Sequence, residues 1–304
     1  MRELATIILP TYNGQKYIKK MLESIILQDY RPIELIISDD ASKDNTTVII
    51  DNYLKLNCDA GITYKIIRNR KNVGLSGNIS RAAKYVRGKY LFLADQDDIW
   101  KSNKISAQIG YLEKNDDCIM CVCDRSIIDS EDRIICKSLF RYPRYNDKIK
   151  KKWDYKMVLN NLSDCAANCI CLRTEHLNEI FPVPPKLCEH DTFITIMAVH
   201  YGKIGWLNEV LTLWRIHGGN LSGQYALETN KSILKAGYII LKSRKRVIKR
   251  ESIDLPIIKK ELEVRFQENN LKIEEALNQR GGNNAYLMTM RYIFKNIDKW
   301  KKFC

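Results

Sequence analysis

Short apolar runs alternate with longer segments of helical spacing along the first hundred residues. The apolar runs predict strands at residues 6–9, 33–37, 63–67 and 90–94. The segments between them predict helices at residues 15–28, from a cap at Asp44 or Asn45 to about Leu56, and at residues 77–86. Strands separated by helices of this length predict a parallel sheet with right-handed crossovers. Such sheets bind ligands at the carboxyl ends of their strands, so the residues after each strand are the first candidates for a site.

The pattern after residue 100 is less regular. The run 118–123 alternates Cys with Ile, Met and Val and predicts a buried strand. The prolines of 181–185 predict a rigid extended connector, followed by a helix at 192–200 and a strand at 211–216. Six cysteines of this half lie in apolar surroundings without the loop context of a zinc site, which favours small buried side chains over metal ligands; they are Cys118, Cys121, Cys123, Cys165, Cys169 and Cys171.

Composition and charge separate the chain into two parts. Its 304 residues are 45% hydrophobic and 28% charged, as in a globular protein. We expect an α/β domain over residues 1–224 and a basic helical extension over 225–304. The extension carries 18 Lys and Arg against 9 Asp and Glu, or +9 of the total charge of +14. Its helix at 232–250 either lies on an anionic membrane or packs on the α/β domain, and the sequence leaves both open.

The first residues run directly into a strand, and no apolar stretch has the length of a membrane span. We therefore expect a cytoplasmic protein, with contact at the inner face of the plasma membrane as the alternative that the basic extension leaves open.

The fourth strand ends on three carboxylates within four residues. Asp95, Asp97 and Asp98 follow the apolar run 90–94 and place hard oxygen ligands at the rim of the sheet. Such ligands suit Mg²⁺ or Mn²⁺, which usually bind together with a phosphate. The alternative is a solvated acidic turn before a helix, with Asp98 or Ser102 as its N-cap.

The turns after the first two strands favour a nucleoside over a dinucleotide. The first turn, Pro10-Thr11-Tyr12-Asn13-Gly14, lacks the three glycines of a dinucleotide-binding loop but offers an aromatic ring. A carboxylate of the pair Asp39-Asp40 can accept a hydrogen bond from a pyrimidine N3–H or a ribose hydroxyl, or can simply lead into a helix.

Taken together, these motifs resemble one enzyme family. The runs ILPTYNG at 8–14, IISDDASKD at 36–44, NVG at 72–74 and ADQDD at 94–98 keep the order and approximate spacing of the family-2 glycosyltransferases. These are inverting enzymes with the GT-A fold, a Rossmann-like and mostly parallel sheet flanked by helices. The resemblance continues through His190-Asp191 and WRIHGGN at 214–220 and covers about residues 4–223. It is closest to the bacterial rhamnosyltransferase-type branch, which builds surface polysaccharides.

The resemblance implies a role for each matched residue. It makes residues 1–100 the nucleotide-binding half and 101–224 the acceptor half. Asp191 is implied as the general base, and Asp97 with His217 as metal ligands for Mg²⁺ or Mn²⁺, or His217 as a residue that closes over the diphosphate. The nucleotide-sugar ligands implied are Pro10, Thr11, Tyr12, Asn13, Asp40, Gly74, Asp95 and Gln96. The implied partners are a UDP- or dTDP-sugar donor and a saccharide or lipid-linked acceptor, without nucleic acid.

Three alternatives stay open at this point. Asp191 can be a helix N-cap instead of the base, in which case Glu189 is the next carboxylate available. A nucleotidyltransferase shares such a sheet and metal, although a Gly-rich phosphate loop with Arg or Lys is expected there and 10–14 is not one. A non-catalytic basic adaptor on a membrane surface or a nucleic acid needs its charge spread over a binding face, but here the charge is concentrated outside the α/β domain.

Overall fold

The computed structural model describes residues 2–141, 149–153, 165–183 and 190–217. The basic extension 225–304, with its predicted helix 232–250, lies outside these residues, as do Glu189 and the segment 218–220. The predictions made for them therefore stay predictions. Within the described ranges, no helix combines the length and the apolarity that crossing a membrane requires.

The described strands form one mixed sheet of nine strands. In chain order they are β1 (Ala5–Thr11), β2 (Ile33–Asp39), β3 (Ile62–Arg68), β4 (Tyr90–Leu93), β5 (Ile99–Trp100), β6 (Cys118–Ile128), β7 (Ile134–Cys136), β8 (Ile170–Arg173) and β9 (Lys203–Arg215). The spatial order is β3-β2-β1-β4-β8-β6-β9-β5, with β7 on β6. The predicted parallel part is confirmed, because β3, β2, β1 and β4 run parallel in register.

The order in which strands are added to the sheet reverses between β1 and β4, although these strands are parallel. β2 and β3 extend the sheet on one side of β1, and β4 pairs on the other side. This switch point is where open α/β sheets bind ligands. β8 is antiparallel to β4 and to β6, so β6 and its parallel partner β9 end at the same edge as β4.

Helices cover both faces of the sheet. They are α1 (Ile18–Ile26), α2 (Thr46–Asn57), α3 (Gly74–Ala83), α4 (Lys104–Glu113), α5 (Leu177–Ile180) and α6 (His190–Ala198). Alternate residues of the parallel strands enter opposite cores: Ile8 lies in the core with α3 and α6, and Ile7 in the core with α1, α2 and α4. Every position of β1 and β2 is buried, which explains why their sequences are runs of apolar residues. The predicted burial of the cysteines is confirmed for Cys118, Cys121, Cys123, Cys165, Cys169 and Cys171.

Several boundaries differ from the predictions; α1, for example, runs from Ile18 to Ile26 instead of 15–28. α3 begins at Gly74 instead of residue 77, because the Asp40 carboxylate accepts the N–H groups of Val73 and Gly74 from another loop. The described part of α6 covers His190–Ala198, against the predicted 192–200. β9 begins at Lys203 instead of residue 211, because it pairs with β6 over its whole length.

Candidate active site

The loops after β1 and β4 are joined by one side chain. The Gln96 carboxamide accepts from the Tyr12 N–H (2.9 Å) and donates to the Tyr12 carbonyl (3.0 Å). Gly14 leaves room for it, since a Cβ at this position would lie 2.2 Å from the Gln96 Oε1. Gln96, implied above as a ligand, therefore holds the loop, while the ring of Tyr12 remains 43% exposed and available to a base.

The loop after β1 is also fixed to the loop after β2. Thr11, which is buried, donates its hydroxyl to Asp39 at 2.9 Å. Asn13 has a φ of 47°, in the left-handed region that Asn tolerates, and its Oδ1 accepts the Lys43 N–H at 2.8 Å. Pro10 is a buried β1 residue opposite Ser38. Pro10 and Thr11 are therefore buried in the protein, whereas Tyr12 and Asn13 are exposed.

Asp40 is 3% exposed and accepts hydrogen bonds inside the protein. Its donors are the Asn69 amide (2.8 Å), the Val73 N–H (2.8 Å) and the Gly74 N–H (2.9 Å). A carboxylate has about four acceptor positions, so these donors leave about one for a ligand. Gly74 has a φ of 77°, a backbone conformation that glycine adopts at low cost.

Carboxylates crowd the edge of the sheet after β4. Burial, followed by the negative charges of Asp97 and Asp191, raises the pKa of Asp95 to about 7, and Arg125 opposes this shift. Asp191 is 96 residues from Asp95 in the sequence, yet it lies close enough for its charge to act on Asp95. The structure thus brings the implied base to the strand-end acids.

Asp97 is paired with His217. The Asp97 Oδ2 and the His217 Nε2 are 2.9 Å apart, and each side chain is 18% exposed. The His217 ring packs against Tyr17, with ring centroids 4.8 Å apart. The two residues implied as metal ligands therefore meet, although 120 residues separate them.

Asp98 is a structural residue. It is fully buried, and it accepts the side-chain amide of Asn168 and, at 2.9 Å, the Arg215 N–H. Burial and the charges of Asp95 and Asp97 raise its pKa well above the usual range. The interpretation of Asp98 or Ser102 as an N-cap is wrong, because α4 begins after Asn103.

Asp191 lies in the first turn of α6 and is partly buried. A helix N-cap precedes the first helical residue, and α6 already includes His190. The N-cap interpretation of Asp191 is therefore wrong for this structure, while a negative charge in the first turn still agrees with the helix dipole.

The sequence did not single out Arg125 or Asn168. The Arg125 guanidinium donates to the Asn168 Oδ1 at 3.2 Å and stacks over Trp214 at 4.3 Å. Asn168 precedes β8, and because β8 is antiparallel to β4, the start of β8 lies beside the acids. A polar residue before a strand is a weak signal, since parallel sheets place their sites after strands.

In the described part of the chain, no three His, Cys, Asp or Glu side chains are arranged to hold a metal ion by themselves. A site with fewer protein ligands is still compatible with Mg²⁺, which typically binds one or two carboxylates together with substrate phosphates and water. Asp97 and His217 offer a carboxylate oxygen and an imidazole nitrogen side by side, so the residues present fit such an ion.

Comparisons with known proteins identify the family of the chain. The model of the family described as "Glycosyl transferase family 2" matches residues 6–181. The UDP-Glc:alpha-D-GlcNAc-diphosphoundecaprenol beta-1,3-glucosyltransferase WfaP of Escherichia coli is 30% identical over 248 residues, or 81% of this chain and 90% of that protein. An uncharacterised glycosyltransferase of Haemophilus influenzae is 27% identical over 304 residues, or 98% of this chain and 87% of that protein.

Solved structures share the fold. S. aureus TarS, residues 1–349 with UDP-GlcNAc, aligns with a TM-score of 0.56 at 18% identity, over 82% of this chain and 68% of that one. The mannosyltransferase PcManGT of Pyrobaculum calidifontis, with GDP-Man and Mn²⁺, aligns with a TM-score of 0.59 at 14% identity, over 100% of this chain and 84% of that one. The predicted GT-A fold is thereby confirmed.

Proposed function

This chain belongs to glycosyl transferase family 2, and we propose that it transfers the sugar of a UDP-sugar to a saccharide or lipid-linked acceptor in the synthesis of a bacterial surface polysaccharide. The observation that carries the proposal is the meeting of Asp95, Asp97, Asp191 and His217 at the switch point of the sheet. The UDP-linked donor is supported by the name of WfaP and by the UDP-GlcNAc bound to TarS. A dTDP-linked rhamnose donor is the second candidate, from the resemblance described above.

The donor base is proposed to lie against the loops after β1 and β2. Tyr12 offers an exposed ring on a backbone that Gln96 holds in place, so little conformational freedom is lost when a base stacks on it. The open acceptor position of Asp40 can take one donor group, such as the N3–H of uracil.

Asp97 and His217 are proposed to hold Mg²⁺ or Mn²⁺. PcManGT, which shares the fold, was solved with Mn²⁺. A cation there would neutralise the negative charge that develops on the diphosphate leaving group. Asp95, next to this pair, is proposed to contact the ribose or the donor sugar.

Asp191 is proposed as the general base. Its carboxylate takes the proton of the acceptor hydroxyl while that oxygen bonds to the anomeric carbon and the bond to the diphosphate breaks. A single displacement of this kind inverts the anomeric configuration.

A donor screen tests the function. The protein is incubated with UDP-Glc, UDP-GlcNAc, GDP-Man and dTDP-rhamnose, with Mn²⁺ or with excess EDTA, and release of the nucleoside diphosphate is measured. We expect release from a UDP-sugar with Mn²⁺ only, its loss in Asp97→Asn, and its retention in Asp116→Asn, whose side chain is 95% exposed. Full activity in EDTA would contradict the metal site. Pyrophosphate release from a nucleoside triphosphate and a sugar phosphate would instead indicate a nucleotidyltransferase.

A further inference from the structure

Arg215, the last residue of β9, connects parts of the site that are distant in sequence. Its side chain is fully buried. Its Nε donates to the Asp97 carbonyl at 2.7 Å, and its backbone N–H donates to the Asp98 Oδ1 at 2.9 Å. One arginine thus binds both the backbone and a side chain of the acidic loop.

The same guanidinium reaches the turn between β6 and β7. Its Nη1 donates to the Asp129 carbonyl at 3.0 Å and forms an ion pair with Asp132. Asp132 also pairs with Lys20 of α1. Burial raises the pKa of Asp132, but the bonds from Lys20 and Arg215 outweigh it and hold the pKa below its usual range.

Arg215 also contacts the aromatic ring behind His217. The guanidinium carbon lies 4.6 Å from the centroid of Tyr17, whose ring packs on the imidazole of His217. Two residues further along the chain, His217 itself lies 2.9 Å from Asp97. Arg215 therefore contacts both the backbone of Asp97 and the Tyr17 ring on which His217 packs.

We propose that Arg215 is a positioning residue that sets the separation between the Asp97 carboxylate and the His217 imidazole and thereby determines the affinity for the divalent cation. This inference rests on the metal site of the proposed function. Arginine suits the role because its planar fork donates in several fixed directions at once. Lysine in the same place carries its donors on a single nitrogen and therefore cannot reproduce the separate bonds of Nε and Nη1.

Mn²⁺ binding in the presence of UDP, measured by electron paramagnetic resonance, tests the proposal. We expect Arg215→Lys to weaken Mn²⁺ binding about 10–100-fold, the range typical for residues that orient metal ligands. Arg173→Lys is the matched control, because Arg173 also donates to backbone carbonyls but lies at the other end of β4. We expect it to bind Mn²⁺ as the wild type does.

A second readout needs no metal. The chain has four histidines, so the imidazole resonance of His217 can be assigned by comparison with His217→Gln. We expect Arg215→Lys to shift this resonance and Arg173→Lys to leave it unchanged. Asp132→Asn serves as the second variant if Arg215→Lys fails to fold, and we expect it to weaken Mn²⁺ binding by a smaller factor, since Arg215 keeps its bonds to the carbonyls of Asp97 and Asp129.

The outcomes separate the two proposals. If the wild type binds Mn²⁺ with UDP while the folded Arg215→Lys binds it equally well and keeps the His217 resonance, the positioning role is overturned and the metal site stands. An equal loss in Arg173→Lys also overturns the positioning role. If the wild type binds no Mn²⁺ with UDP, the proposed metal site fails, and this inference with it.

Discussion

The carboxylates on the two sides of the site have different neighbours. On the nucleotide side, formed by the loops after β1, β2 and β3, Asp39 and Asp40 accept hydrogen bonds from neighbouring hydroxyl and N–H groups. On the acidic side, formed by Asp95, Asp97, Asp98 and Asp191, the carboxylates lie close to one another, and burial and mutual repulsion raise the pKa values of Asp95 and Asp98.

From this difference we infer that Asp39, Asp40 and the buried Asp98 shape the protein, while Asp95, Asp97 and Asp191 are the candidates for ligand binding and chemistry. Carboxylates that accept several N–H groups stabilise the fold and keep the loops rigid. Carboxylates that repel one another in a partly buried site cost stability, and a cation or a proton relieves that cost. Removal of a negative charge should therefore lower the stability on the nucleotide side and the activity on the acidic side.

The largest effect is expected from the acidic side. Asp97→Ala should lower UDP-sugar turnover by about 10³-fold or more, because the leaving group loses several kcal/mol of charge stabilisation. Urea unfolding of the metal-free variant should show little loss of stability, since the relief of the repulsion on Asp95 and Asp98 offsets the loss of the pair with His217. A large destabilisation would contradict the distinction between the two sides, because it would make Asp97 a structural carboxylate like Asp39 and Asp40.

Asp191→Asn should lower sugar transfer by about 10²–10⁴-fold, since an amide cannot accept the acceptor's proton. UDP affinity, measured by calorimetry, should remain that of the wild type. Near-normal transfer would exclude Asp191 as the base, and Glu189 would become the next candidate.

On the nucleotide side, Asp40→Asn should lower the free energy of unfolding by about 2–3 kcal/mol. The amide nitrogen of Asn cannot accept, so an N–H group of Val73 or Gly74 loses its charged partner. Urea titration measures the effect, with the exposed Asp116→Asn as the control. Unchanged stability together with lost UDP binding would instead show that Asp40 acts mainly as a ligand.

Gly14→Ala should lower stability and UDP affinity by about 1–2 kcal/mol each, because the new methyl group displaces the Gln96 carboxamide. In the double variant Gly14→Ala/Gln96→Ala the clash is absent, so the two effects should be less than additive. Fully additive effects would show that Gln96 and Gly14 act independently.

The smallest effect concerns pH. The folded pKa of Asp95 is raised to about 7, above its unfolded value near 4, so its favourable contribution to stability is present below pH 4 and is lost as the pH rises towards 7. In EDTA, Asp95→Asn should reduce the change in the free energy of unfolding between pH 4 and 7 by about 1 kcal/mol. The effect is small because solvent screens a partly exposed group. If the free energy of unfolding depends on pH in the same way in the wild type and in Asp95→Asn, the repulsion between the acids is contradicted.

Patterns local in sequence predicted the first half well. The strands β1 to β4 and the helices between them lie close to their predicted positions. For β1, β2 and β4 the reason is that a strand buried on both faces needs mostly apolar residues in succession. The start of α3 was wrong because its capping carboxylate, Asp40, comes from 34 residues away. Asn168 was missed because β8 enters the sheet antiparallel, which no local pattern indicated.

The sequence by itself determined the alternating architecture, the family resemblance and the positions of the acids after β4. Only the tertiary structure decided which groups bind each acid, because the identity of a carboxylate does not reveal its hydrogen-bond donors. Asp98 is bound by Arg215 from 117 residues away, while Asp97, its neighbour, faces His217. Two adjacent aspartates thus differ in role because strands far apart in the chain end at the same edge of the sheet.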